Sequence, residues 1–443
     1  MESTGQGAEM VEKALRIGIA GLGTVGAATI RILTQAANEL AERAGRPIQV
    51  VAVSARSRGK DRGVDLSGYR WYDDPVEMAC RTDIDVIVEL MGGAEGSARA
   101  TVEAALDHGT AVVTANKALL ATHGRDLARR AESHGATIAF EAAAAGGIPV
   151  IKALREALVG NEITRISGIL NGTCNYILSR MEEEGLDFAR CLKAAQELGY
   201  AEADPTFDVE GYDTAHKLAL LTALAFGTEV DGDAVYVEGI SGVTPLDLLM
   251  AEELGFRIKL LGVAERTAQG IEQRVHPTMV PRTSQLAGVM GVTNAVEIQA
   301  QPVGAITLVG PGAGGGATAS AVVGDIVDLA RGHRVSVFGR PSGALAKPIR
   351  APMQQHEGGY YVRLQVLDRP GAAATIASRM AERGISLESI LQKGRGTPRS
   401  ASGAVPVILI TYATTELRVR DAVAAIAEEG VLDGPPQVIR IER

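Results

Sequence analysis

Residues 15–26 read LRIGIAGLGTVG, and a stretch of helical character follows to about Ala44. The alternating apolar run suits a buried strand, and Gly21-Leu22-Gly23-Thr24-Val25-Gly26 is GxGxxG placed between strand and helix. In that context the first two glycines permit a tight turn and the close approach of a pyrophosphate. The third lets helix and strand pack, and the helix N-terminus faces the anion. The stretch predicts an α/β domain that binds a dinucleotide, with Gly21, Leu22, Gly23, Thr24, Val25 and Gly26 as its cradle.

The segments downstream repeat the strand-then-helix pattern, as a Rossmann-type domain over residues 15–148 requires. A second strand, Ile48 to Ser54, should end in Asp or Glu if the ribose hydroxyls of NAD are to be gripped, but the chain continues Ser54-Ala55-Arg56-Ser57-Arg58-Gly59-Lys60. The acid is missing, and Arg56 with Lys60 suits a 2'-phosphate, so NADP(H) is favoured, with NAD(H) as the alternative. A strand over Asp85 to Leu90 leads into Met91-Gly92-Gly93, and Ala111 to Thr114 leads to Asn116-Lys117. Both turns fall at the carboxyl edge of the sheet, where a cofactor lies. Gly314 opens a further glycine-rich helix start, and the helix over 318–338 is expected to complete this domain beside the cofactor.

Composition bounds the rest. A chain of 443 residues exceeds the usual single-domain size, and 46% hydrophobic with 22% charged residues is ordinary for a globular protein. The net charge of -9 speaks against nucleic acid as a partner. No apolar run has the length of a membrane span or the pattern of a leader, so a cytoplasmic protein with a loose tail over residues 1–14 is expected. Cys80, Cys174 and Cys191 lack the spacing of zinc or redox sites.

The chemistry is placed in residues 199–221, GYAEADPTFDVEGYDTAHKLALL. Pro205 and Gly211 are expected to keep Glu202, Asp204, Asp208 and Glu210 out of regular helix, whereas Asp213 opens an apolar helical run. Asp213 and Lys217 therefore share a helix face. The ordinary reading is a helix cap and a surface pair. Ahead of this stretch, Asn171-Gly172-Thr173-Cys174-Asn175-Tyr176 is a polar turn opening a helix whose amides suit a carboxylate. Residues 149–317 read as an α+β substrate domain and 339–359, rich in Pro and Gly, as a linker. Residues 360–443 follow the order βαββαβ of a ferredoxin-like domain.

The spacing of the acids and the lysine from Ala195 to Lys217 resembles the homoserine dehydrogenase family, and the resemblance runs from about Arg16 to Arg443. The turn Asp368-Arg369-Pro370-Gly371 and the element order around it resemble the ACT domains that bind amino acids. The resemblance implies reversible reduction of L-aspartate 4-semialdehyde to L-homoserine in threonine, methionine and isoleucine biosynthesis. It implies Lys217 as proton donor, Asp208 as its orienting acid and Lys117 as a polarising group. Glu202 and Asp213 would hold the substrate amino group, with Thr173, Tyr200 and Gly172 shaping the pocket. Asn116, Lys117, Gly92, Gly93 and Gly314 would face the cofactor. Glu141, Ala144, Gly146 and Ile148 match the positions of a structural monovalent cation, sodium or potassium. A homodimer or homotetramer inhibited by threonine through the ACT domain completes the expectation. Since Gly339 to Gly359 reads as a linker, inhibition is expected to travel through subunit geometry rather than by direct contact.

Two other functions fit parts of the sequence. An aldehyde dehydrogenase using Cys174 as a thiol nucleophile needs a neighbouring base, commonly His, and no such motif adjoins it. A non-catalytic dinucleotide and amino-acid sensor would leave Lys117, Lys217, Asp208 and Asp213 without a role.

Overall fold

The computed structural model describes residues 13–392 and 403–442. The expected N-terminal tail lies, up to residue 12, outside the described residues. The chain divides into two compact units: the described residues up to Glu162 with 219–232 and 310–347, and a second unit of 163–218, 233–309 and 348 onward.

Six strands build the sheet of the first unit: β1 (Leu15–Ala20), β2 (Ile48–Ser54), β3 (Arg70–Tyr72), β4 (Val86–Glu89), β5 (Ala111–Thr114) and β6 (Ile138–Ala139). Their order is β3-β2-β1-β4-β5-β6, all pairs parallel, which is the doubly wound dinucleotide-binding topology expected. β4 and β5 are buried along their whole length, which is why they read as unbroken apolar runs rather than alternating ones. The helices Thr24–Gln35 and Gly315–Ala330 share one core with the sheet, through Ile30, Leu33, Val322 and Ile326. The chain leaves this sheet through one α-turn, Val150–Lys152, continued by a wider π-turn, Ala153–Ala157.

The second unit carries β7 (Glu162–Ile169), β8 (Tyr236–Val237), β9 (Phe256–Thr267), β10 (Gly270–Pro281), β11 (Thr293–Gln301), β12 (Gly304–Pro311), β13 (Glu357–Val366), β14 (Leu387–Gln392), β15 (Val405–Thr411), β16 (Thr414–Thr415) and β17 (Gln437–Ile441). They form one sheet in the order β12-β11-β7-β9-β10-β17-β13-β15-β14, with β16 on β13 and β8 on β10. The last strands, with the helices Ala372–Glu382 and Glu416–Glu428, make the expected βαββαβ order, and their β17-β13-β15-β14 arrangement is ferredoxin-like. Tyr360, Leu364, Ile376, Met380, Leu409 and Val419 fill its core.

One expectation is overturned here. The C-terminal domain is not held away from the substrate segment by its linker: β17 pairs in parallel with β10, Thr278 against Arg440 and Met279 against Ile441. The stretch before β13 is tied down as well, since Ile271 N donates to Ile349 O at 2.8 Å and Ala351 N to Ile271 O at 3.0 Å. Pro and Gly content predicted flexibility, but an isolated parallel bridge, Ile271 against Arg350, ties the segment to β10. β8, β12 and the helix Pro245–Glu253 escaped the sequence reading. β12 is flanked by glycines and faces solvent along most of its length, so it lacks the alternation that marks a half-buried strand.

Candidate active site

In the first unit the three glycines of the turn answer three different geometric demands. Gly21 has φ +102, and a Cβ there would lie 2.5 Å from the Leu90 carbonyl; one at Gly26 would run into the Gly21 carbonyl. At Gly23 a Cβ would meet nothing, which leaves open the space a pyrophosphate needs. The turn opens on a cavity of about 660 Å³ whose lining includes Gly21, Gly23, Arg56, Lys60 and Gly92. Arg62 joins them: its Nε donates to Leu22 O at 3.1 Å, and its guanidinium stacks on Trp71. The helix Gly315–Ala330 starts at this turn too, because a Cβ on Gly315 would sit 2.8 Å from Thr24 Cγ2. Gly314 caps that helix with φ +111, a conformation that favours glycine.

At the carboxyl edge of β4 the fully buried Glu89 organises the adjoining turns. Its carboxylate accepts from Met91 N at 2.7 Å, Gly92 N at 3.1 Å and Thr114 Oγ1 at 2.7 Å. Asn116 donates from Nδ2 to Gly93 O at 2.7 Å and caps the helix Lys117–Ser133 by accepting from Leu119 N. Lys117 is the first residue of that helix. Gly92, Gly93, Asn116 and Lys117 thus meet at one edge, although Glu89, which holds them, was not singled out in the sequence. An acid closing a wholly apolar strand was the available signal.

Glu141 is also buried, and both its oxygens are engaged: Oε1 accepts from Ile151 N and Oε2 from Lys152 N, each at 2.8 Å. Burial and the nearby Asp325 raise this carboxyl to about 7. Gly146 takes φ +57 with the Gly312 carbonyl against it. The Ile148 carbonyl, one of the expected cation positions, accepts from Val150 N at 2.8 Å. Among the described residues no group of three or more His, Cys, Asp or Glu side chains could hold a metal ion.

In the second unit the acid-rich stretch closes around Asn171. Lys217 Nζ donates to Asp213 Oδ2 at 2.7 Å and to Leu170 O at 2.6 Å. Asn171 Nδ2 donates to both Asp208 Oδ1 and Asp213 Oδ2 at 2.8 Å, while its Oδ1 caps the helix Gly172–Glu184 by accepting from Cys174 N. One amide therefore fixes two carboxylates and the helix start. Asn171 was read only as part of a polar turn; an Asn preceding a helix by one residue was the cue to its cap. Asp208 lies in a short helix, Thr206–Val209. Pro205 was expected to keep it out of helix but instead opens the turn, since a proline costs nothing at a helix start. Thr173 Oγ1 donates to Tyr200 O at 2.7 Å, and Tyr200 packs edge-on against Tyr176. A Cβ on Gly172 would approach Val292 O at 2.7 Å. Glu202 is exposed, with its main chain held by Gln196.

Family models decide what this constellation belongs to. Residues 149–327 match the model described as homoserine dehydrogenase, residues 21–141 that of its NAD-binding domain, and residues 360–430 the ACT domain. A homoserine dehydrogenase of Pseudomonas aeruginosa is 47% identical over 438 residues, 97% of this chain and 99% of its own. The chain belongs to the homoserine dehydrogenase family. The crystal structure of the Thiobacillus denitrificans homoserine dehydrogenase superposes with a TM-score of 0.90 at 44% identity, covering 97% of this chain and 98% of its own. A hyperthermophilic archaeal homoserine dehydrogenase in complex with NADPH aligns with 73% of this chain and 99% of its own, at 26% identity and a TM-score of 0.63. As a homoserine dehydrogenase the chain is an oxidoreductase with a nicotinamide-binding domain and a C-terminal ACT domain. Among the described residues no helix is long and apolar enough to cross a membrane.

Within this homoserine dehydrogenase Cys174 is no nucleophile. It is fully buried, its thiol donates to Asp208 O at 3.1 Å, and burial, reinforced by Asp208 and Asp213, pushes the thiol well up. A thiolate is what such chemistry needs.

Proposed function

We propose that this homoserine dehydrogenase reversibly reduces L-aspartate 4-semialdehyde to L-homoserine with NADP(H), and that Lys217 delivers the proton. The observation that carries the reading is the buried set Lys217, Asp213 and Asn171, joined by the half-buried Asp208, in which an ammonium is fixed by one carboxylate and one main-chain carbonyl. When bound, the reduced nicotinamide supplies the hydride that the aldehyde carbon accepts. Lys217 then gives an N–H proton to the oxygen as it becomes an alkoxide, and Lys117 polarises that oxygen. Asp208 orients the lysine, and Asp213 with Glu202 receives the substrate ammonium. Thr173, Tyr200 and Gly172 shape the pocket.

Arg56 and Lys60 in the cavity beside the glycine turn support NADP(H) over NAD(H), as does the NADPH in the archaeal relative. A monovalent cation at residues 141–148 would be structural. We read the ACT domain as a threonine sensor in a cytoplasmic homodimer or homotetramer. Oxidation of NADPH on addition of aspartate 4-semialdehyde, with homoserine as product, tests the reaction. No NADPH consumption by the full chain would overturn it.

A further inference from the structure

The C-terminal strand β17 reaches the acid-rich stretch through a short strap, residues 236–240. Arg440 on β17 is 1% exposed. It bonds Glu416 through Nε at 3.0 Å, lies over the Tyr236 ring and pairs with Glu238. Arg420, from the helix Glu416–Glu428, pairs with the same carboxylate. Burial alone would raise Glu238, but Arg440 and Arg420 hold its carboxyl below the usual range. Glu238 therefore faces the ACT domain as an anion between two guanidinium groups.

The other side of the strap faces the acids. Glu238 N donates to Val275 O on β10 at 2.8 Å, and Ile240 N donates to Val209 O at 2.9 Å. Val209 ends the helical turn that carries Asp208. A Cβ on Gly239 would lie 2.5 Å from Val209 O and against the Glu210 carboxylate. At Gly211, with φ +89, it would meet Val275 at 3.0 Å and Val237 at 3.1 Å. At Gly239 the strap packs backbone to backbone on residues 209 and 210, and at Gly211 valine methyls of the strap and β10 lie against the main chain, so a shift of the strap presses directly on residues 209–211.

We propose that Glu238 is a positioning residue: clamped by Arg440 and Arg420, it fixes the strap, and the strap sets where Asp208 and Asp213 stand for the substrate. The inference rests on the reading of Asp208 and Asp213 as substrate-site acids. It gives the ACT domain a direct lever on catalysis within one chain, because a ligand that moves β17 or the helix Glu416–Glu428 moves the clamp.

The test uses the full-length enzyme and the variants Glu238→Gln, Glu238→Asp and Asp213→Asn. In Glu238→Gln the KM for aspartate 4-semialdehyde should rise about tenfold, in the ordinary range of coupling between sites, while the KM for NADPH stays as it is. Glu238→Asp, which keeps the charge, should recover most of that loss. Amide exchange at Asp208, Val209 and Gly211 should quicken in Glu238→Gln but not in β1. An unchanged substrate KM in Glu238→Gln overturns the proposal, and so does an equal rise for both ligands with a fall in melting temperature, the mark of a merely structural role. Asp213→Asn separates the two readings. If it raises the substrate KM and Glu238→Gln does not, only the positioning role fails; if Asp213→Asn leaves the KM unchanged, the substrate-site reading fails and takes this inference with it.

Discussion

Lys217 and Asp213 stand one helical turn apart and 2.7 Å from each other, both side chains about nine-tenths buried. An exposed pair at this spacing would contribute little. Here the lysine is presented from inside the fold by a carboxylate and the Leu170 carbonyl, so its position is set before substrate arrives.

Replacing Lys217 with Ala should lower turnover about 100 to 10,000-fold, the usual worth of a proton donor. The single variant strands Asp213 as an uncompensated buried charge, so the double variant Lys217→Met with Asp213→Asn provides the stability control. Steady-state kinetics beside thermal melts read both. Near-full turnover in Lys217→Ala with none in Lys117→Ala would reverse the two roles.

Arg56→Ser and Lys60→Ser should each raise the KM for NADPH about tenfold, in line with the loss of one charge-assisted hydrogen bond, and leave that for NADH nearly unchanged. The ratio of kcat/KM for the two cofactors measures it. A wild-type enzyme that strongly prefers NADH would refute the assignment.

Lys259 predicts a pH effect on stability. Its Nζ donates to Asn175 Oδ1 at 2.9 Å and Val289 O at 2.5 Å, and burial, with Arg257 nearby, depresses it to about 8. Between pH 8 and its ordinary value of about 10.5 the unfolded chain holds the proton more tightly than the folded one. Stability therefore rises with pH across that window, by up to about 3 kcal/mol for this one group. Urea midpoints at pH 7.5 and pH 10 should separate in the wild type and converge in Lys259→Met; parallel behaviour of the two proteins would contradict this.

Threonine at millimolar concentration should inhibit the full chain. A chain ending at Ala351 should lose that sensitivity and also stability. Without β17, an edge of β10 is opened, and Arg274 and Arg165 lose the Glu442 carboxylate they share. Breaking buried pairs of this kind should lower the melting temperature by roughly 5–10 °C. Indifference of the full chain to threonine would remove the sensor role, and an unchanged melting temperature would deny the sheet its structural part.

Local chemistry by itself determined a large share of this molecule. GxGxxG between a strand and a helix specifies its turn because each glycine answers a steric demand within a few residues. Asp213 and Lys217 could be paired in advance because helical spacing puts them on one face. The βαββαβ order of the C-terminal domain followed from periodicity alone. Tertiary structure decided what depends on distant partners. Asn171 gathers Asp208 and Asp213 from about 40 residues away, and no local pattern announces a side-chain amide as a bridge. Glu89 orders two turns only because β4 and β5 lie side by side. The expected linker is tied to β10 by one isolated bridge, Ile271 against Arg350, and the domain beyond it joins the same sheet because β10 also pairs with β17. Composition reports how flexible a segment is when alone, whereas hydrogen-bonding partners far along the chain decide whether it stays so.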